Sequence, residues 1–430
     1  MKVSRITTAL LATVCAVVLP MQLRPFAMLS MQDLQVPARE STAKPYDDVV
    51  STPRAIAEAI QRDLAEAGTT NKSQLPLFTF TVQSPKDGNQ YNLTMVGQNP
   101  FKHGKTARIR TFIVPLIIQT NTVGLTFDEI TRQIGTVPGM TTFDPTLQDS
   151  ACMMAPNNVP LTVFQESPVI NSNHSWGDLI DFDFGGKIVK DAQYVDAFQR
   201  GNLWQIIREG HDDYHTLLDP VEILPAITVN VPSIDGTTLP PSEAPTCGPY
   251  GVVDIVWFRN YVTDTLLPNV ATQGVNSSNF PIFLLYNVEL THPVTNLTGC
   301  CTLGYHGATG EVPLQTYSVV GFDSTNLRSS FRDVAIASHE VAEWMNDPFG
   351  NNRVPAWGHV GQQSKCQSNL EVGDPLSGTN SASIVMPNGF TYHLQELAFF
   401  SWFFGEASSG IHGWYSDNGT FLDFQHQVCQ

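Results

Sequence analysis

Apolar and polar positions along this chain follow two periods. Runs that alternate, or that are unbroken and rich in β-branched residues, occur at 75–82, 107–118, 252–258 and 281–288, and each predicts a strand. Helical spacing appears at 54–66, 127–134, 195–208 and, over a short stretch, 261–267. The most regular helical stripe comes later: Phe331, Val334, Ala335, Ser338, Ala342 and Met345 recur at i, i+3, i+4, i+7, i+11 and i+14. Ser324 or Thr325 is expected to cap this helix or a turn before it. Pro348 with Gly350 should end it, because the residue before a proline avoids the α region. His339, Glu343 and Asn346 lie off the stripe, so the helix is expected to bury one flank and turn its acid–histidine flank to a cleft. Residues 397–404 (Leu-Ala-Phe-Phe-Ser-Trp-Phe-Phe) read as core rather than ligand groove, and the proline-rich 239–245 as a surface loop or linker.

This mixture of strands and helices predicts an α+β protein, and 430 residues is enough for two or three domains or one elaborated domain. The first residues predict export. Lys2 and Arg5 precede an apolar run at 9–19, the layout of a signal peptide over 1–27 with cleavage near Ala27. No other segment approaches the ~18 apolar residues of a membrane helix, so no membrane span is expected once the signal is removed. A secreted or extracytoplasmic location follows. Six cysteines then remain (Cys152, Cys247, Cys300, Cys301, Cys366 and Cys429), an even set that suits disulfides in an exported chain. Sequons such as 92–94 and 296–298 matter only in a glycosylating host. Lys+Arg 23 against Asp+Glu 40 gives a net charge of −17, which repels phosphate backbones and excludes nucleic acid as the expected partner.

The chemistry concentrates in 338–348, Ser-His-Glu-Val-Ala-Glu-Trp-Met-Asn-Asp-Pro. His339 and Glu343 are one helical turn apart and can reach a single ion, while Glu340 projects beside it where a water-activating base is wanted. This is the zinc-peptidase pattern His-Glu-x-x-His with Glu in place of the second His. A plainer alternative is an ordinary i,i+4 surface pair, worth a few tenths of a kcal/mol at most. Glu371-Val-Gly-Asp374 forms a second acidic element downstream. His359, His393 and His412 are further donor candidates, and Tyr392 and Tyr415 candidates for stabilising a tetrahedral intermediate. No nucleophile elbow or phosphate-loop spacing is present.

These motifs, in order, resemble a family of secreted zincin-like proteins found in bacteria and including the plant phosphate-induced, exordium-like proteins. The resemblance is carried by 338–343 with 346–348, by 371–374, by 392–397 (Tyr-His-Leu-Gln-Glu-Leu) and by 300–306 (Cys-Cys-Thr-Leu-Gly-Tyr-His), and it covers about 250–430. It implies a zincin-like domain over 246–430, a twisted sheet over an active-site helix, preceded by a β-rich mixed α/β region of unknown role at 28–245. It further implies that His339 and Glu343 are metal ligands and Glu340 the catalytic base. Glu371 or Asp374 would be the third ligand, with the other orienting His339.

One His with two carboxylates surrounds an ion with more negative charge than two His and one Glu. That raises the pKa of bound water and loosens the preference for zinc, so zinc is expected first, with Mn or Ca as alternatives. The expected function is a secreted metal-dependent hydrolase, zinc metallopeptidase-like, with a peptide or protein substrate. The alternative is a non-catalytic extracellular or cell-surface protein that retains the metal-binding scaffold.

Overall fold

The structure, a computed structural model, describes residues 49–50, 74–102, 104–128, 133–153, 159–171, 192–207, 213–239, 247–294, 302–310, 314–358, 366–378 and 381–424. Its first strands are β1 (Val49–Val50), β2 (Leu77–Gln83), β3 (Gln90–Val96), β4 (Ala107–Asp128), β5 (Gln133–Phe143), β6 (Thr216–Ile223), β7 (Ile227–Asn230), β8 (Gly236–Leu239) and β9 (Tyr250–Asp254). There follow β10 (Phe280–Tyr286), β11 (Val288–Thr291), β12 (Gly304–Thr309), β13 (Gln315–Phe322), β14 (Arg353–Trp357), β15 (Gln367–Asn369), β16 (Ser381–Val385) and β17 (Thr391–Gln395).

The largest sheet runs β1-β12-β13-β10-β4-β5, with β6 and β7 also pairing to β4. Strands β13, β10, β4 and β6 are mutually parallel where they pair, and β12 joins antiparallel to β13. Strand β10 is buried along its whole length, as a strand covered on both faces must be. Its alternation sorts side chains between two cores. Phe280, Ile282, Leu284 and Tyr286 enter one, Phe283 and Leu285 the other. Strand β13 repeats the division, with Val320 and Phe322 against Tyr317 and Val319.

The second core packs on a helical segment that starts at Ile255 and contributes Phe258, Val262, Leu266 and Val270. Asp254 caps that segment by accepting from the Val256 and Trp257 amides. The first core holds the helix Ala335–Asn346, whose Trp344 stacks on Phe280 with centroids 3.5 Å apart and donates from Nε1 to Thr316 Oγ1 at 3.0 Å. Truncating a buried Trp of this kind costs about 3–5 kcal/mol. The helix thus forms on tertiary packing: its first turn has no side-chain cap, and it stops at Asn346, two residues ahead of Pro348.

Several sequence expectations change here. The flank expected to face a cleft is buried, as are all twelve residues of Ala335–Asn346. Besides β12 and β13, the helix is packed by β17, by β3 and by the helix Tyr194–Asn202. Of the two places expected for a Ser324 or Thr325 cap, it is the preceding turn that has one: Thr325 Oγ1 accepts from the Leu327 amide at 3.2 Å, while Asp323 accepts from the Thr325 amide. The expected helix at 127–134 is strand at both ends, since Asp128 pairs with Gln133 across the β4–β5 hairpin. The expected helix at 195–208 is two, Tyr194–Asn202 and Trp204–Ile207, broken after Gly201 and Asn202, both poor helix formers. Strand 252–258 is cut short at the Asp254 cap. Residues 397–404 are core, as expected.

The division expected after residue 245 is not a division of the sheet. Strand β4, from before it, is central to the sheet that β10, β12 and β13 complete, and Asp47–Gln430 is one compact unit. The architecture is α+β. The expected signal peptide, the helix at 54–66 and the sequon at 296–298 lie outside the described residues. Cys152 and Cys247 form a disulfide, and Cys366 is also disulfide-bonded. Among the described residues no helix is long and apolar enough to cross a membrane.

Candidate metal centre

Two glycines bring the elements of the site into contact. A Cβ at Gly304 on β12 would stand 2.6 Å from Ile336 Cγ2 and 2.7 Å from Glu340 Cγ, so only glycine lets this strand lie so close to the helix. His306, two residues on and therefore on the same strand face, is delivered over Glu340 and Glu343. A Cβ at Gly373 would stand 2.6 Å from His339 Cγ and Nδ1, so the segment carrying Glu371 and Asp374 lies flat against that imidazole.

His339 is held from its far side. Gln395, at the end of β17, donates from Nε2 to the Gly373 carbonyl at 2.6 Å, which fixes its amide orientation and presents Oε1 to His339 Nδ1 at 3.0 Å. Ser377 Oγ lies 3.3 Å from the same nitrogen. The network therefore assigns the N–H to Nδ1 and leaves Nε2 facing Glu343 Oε1 at 3.0 Å and Asp374 Oδ1 at 3.7 Å. A lone pair aimed at two carboxylates is repulsive unless a proton or a metal ion lies between them. Burial disfavours the proton, but the charges of Glu343, Glu340 and Asp374 outweigh it and hold the His339 pKa well above its usual value.

His306 is wholly buried and enters the same cluster from the sheet. Its Nε2 lies 3.2 Å from the Asp347 carbonyl oxygen, which can only accept, so Nε2 carries the hydrogen. Nδ1 then points at Glu340 Oε2, 3.6 Å away, and Glu343 Oε2, 3.7 Å away, both too far for hydrogen bonds. Burial, only partly opposed by Glu343, lowers the His306 pKa to about 4, so the ring is neutral near pH 7.

The carboxylates differ in how they are held. Glu343 Oε1 accepts from the Gly373 and Asp374 amides at 3.0 and 3.3 Å. Asp374 Oδ2 accepts from Gln367 Nε2 at 2.9 Å. Among the described residues neither oxygen of Glu371 has a hydrogen-bond partner, although the side chain is buried. Burial, then the charges of Glu343, Asp347, Asp374 and Glu340, push its pKa well above the usual carboxylate range. Two groups of ligand atoms lie within 4.8 Å of one another, His339 with Glu340 and Glu343, and His306 with Glu343 and Glu371. These buried His and Glu groups could hold a metal ion.

The structure thus brings together His339, Glu340, Glu343, Glu371 and Asp374. The orienting contact to His339, expected from Glu371 or Asp374, comes instead from Gln395 and Ser377, and Asp374 approaches the opposite nitrogen, Nε2. His393 pairs with Asp333 at 2.5 Å and His412 is exposed. Tyr392 donates to the Val163 carbonyl and Tyr415 to the Glu406 carbonyl. His359 lies outside the described residues. His306 and Gln395 were given no role from sequence. The signal that could have found His306 is Gly304-Tyr-His306, which puts a glycine and a histidine on one face of a strand. Comparison of the chain with protein-family models, with characterised proteins and with solved structures gives no match.

Proposed function

We propose that this chain is an exported metal-dependent hydrolase of the zincin-like His-Glu-x-x-Glu type, cleaving peptide bonds with zinc held by His339, Glu343 and Asp374. The observation that carries this reading is the His339 imidazole, oriented by Gln395 so that Nε2 faces Glu343 and Asp374. That is the arrangement of a histidine ligand whose other nitrogen is fixed by an outer partner. A zinc ion bound there would supply Lewis acidity toward a substrate carbonyl. Glu340, in the same group of ligand atoms, takes the proton of the attacking water and returns it to the leaving amine. The Gly373 and Asp374 amides keep the Glu343 carboxylate turned toward His339. A disulfide at Cys152–Cys247 agrees with export to an oxidising compartment.

A second reading is favoured by one observation: none of the five predicted site residues is more than 5% exposed. On that reading the metal fastens the helix to the segment around Gly373 and no reaction follows. Metal analysis of the purified protein, with a peptide library assayed beside Glu340→Gln, separates the two. Peptide cleavage lost in Glu340→Gln at unchanged metal content supports the hydrolase. Cleavage that survives the change defeats it, as does bound metal without cleavage, and a metal-free protein defeats both readings.

A further inference from the structure

We propose that the centre holds two divalent cations bridged by the Glu343 carboxylate, the second cation bound by His306 Nδ1, Glu343 Oε2 and Glu371. This rests on the metal-binding reading above and extends it.

The two Glu343 oxygens face different histidines. Oε1 is 3.0 Å from His339 Nε2, and Oε2 is 3.7 Å from His306 Nδ1. Ligand atoms bound at ~2.1 Å around one ion stand roughly 3.0–3.4 Å apart, so both spacings are near those of shared coordination. The ring orientation of each histidine is set from behind, His339 by Gln395 and His306 by the Asp347 carbonyl, and the second nitrogen of each ring faces the same carboxylate. One ion beside Oε1 leaves the His306 nitrogen and both Glu371 oxygens buried without a hydrogen-bond partner among the described residues. Buried polar atoms in that condition are costly, and a cation beside Oε2 satisfies all of them at once.

Charge points the same way. Glu340, Glu343, Glu371 and Asp374 bring four carboxylates together out of solvent; with all four ionised, two divalent cations neutralise them, where one leaves two charges to be relieved by protonation. Asp347 stands apart from this count, because its carboxylate is engaged by the Asn351 and Asn352 amides. A carboxylate bridge places two ions ~3.5–4 Å apart, the spacing of two-metal hydrolytic sites. The mixed nitrogen and oxygen donors suit Zn or Mn more than Mg.

The test is metal stoichiometry on the full, tag-free chain, stripped with chelator, reloaded with Zn²⁺ and dialysed, with His306→Gln and His339→Gln treated alike. The expected result is two equivalents in the wild-type protein and one in each variant, with circular dichroism checking the fold. If His306→Gln does not fold, Glu371→Gln removes a ligand of the same cation with less change of shape and is expected to bind its second equivalent at least tenfold more weakly. A single wild-type equivalent overturns the second cation and leaves the one-metal reading standing. No bound zinc overturns both. Two equivalents that both persist in His306→Gln and Glu371→Gln overturn the assignment of these ligands.

Discussion

Replacing Glu371 by Gln removes one buried charge with almost no change of shape, and its stabilising effect should shrink when metal is bound. In the metal-free protein Glu371 and Glu343 offer ligand atoms within 4.8 Å of each other. At an effective dielectric of ~20, two unit charges at that separation repel by about 3 kcal/mol. Protonation absorbs part of this, so the metal-free variant should be more stable than wild type by about 1–3 kcal/mol. For a unit of this size, with an unfolding entropy of ~2 cal/mol/K per residue, that is roughly 1–4 °C in Tm. With saturating zinc this advantage shrinks or disappears. Losing one carboxylate ligand weakens binding at least ~10-fold, or about 1.4 kcal/mol, and binding to the native state is what adds stability. Scanning calorimetry of both proteins after chelator stripping, and again in excess Zn²⁺, gives the four Tm values. A stripped variant that melts below stripped wild type would refute the reasoning, because Glu371 would then be held by favourable contacts rather than repelled.

Gln395→Leu should lower metal affinity about 10–100-fold, since His339 loses the acceptor that fixes its orientation; unchanged affinity in a chelator competition would remove Gln395 from the site. Gly373→Ala drives a Cβ to within 2.6 Å of the His339 ring and should cost about 1–3 kcal/mol together with bound metal, so full metal content in the variant would show that the segment gives way. Asp417 is held at a pKa of about 7, chiefly by burial, which exceeds the opposing effects of the Leu397 amide and Tyr194. A folded pKa above the unfolded one means a contribution fully present below about pH 4 and lost as pH rises to about 7, worth up to about 4 kcal/mol. Denaturant midpoints at pH 5 and pH 8 should therefore differ less in Asp417→Asn than in wild type, and an unchanged difference would place the pH dependence elsewhere.

The parts of the site that sequence made legible are those within one helical turn or one short motif. His339, Glu340 and Glu343 are related by helix geometry, and Glu371 and Asp374 by their proximity in the chain. What it hid was long-range. His306 and Gln395 reach the cluster only because β12 and β17 dock on the helix, and no local period records that docking. The helix stripe misled for a related reason. A stripe marks one buried face, but here the sheet packs on Ile336, Glu340 and Trp344, off the stripe, while Ser338 on the stripe meets β17. Polar residues off the stripe suggest a flank turned to a cleft, yet a buried charge cluster produces the same pattern. Strands fared better where they lie centrally: 281–288 is apolar because both faces of β10 are covered. At 252–258 and 127–134 a single cap and a hairpin decided the outcome against the run of residues around them.

Burial of the centre would also govern how fast a bound metal ion leaves. Its donors sit on a sheet strand, a core helix and a packed segment rather than on a mobile loop, so release requires those elements to separate. Such openings lie near the global end of the stability range. The ion would then be kinetically locked, exchanging at a rate set by the protein's own breathing and indifferent to the concentration of a competing chelator.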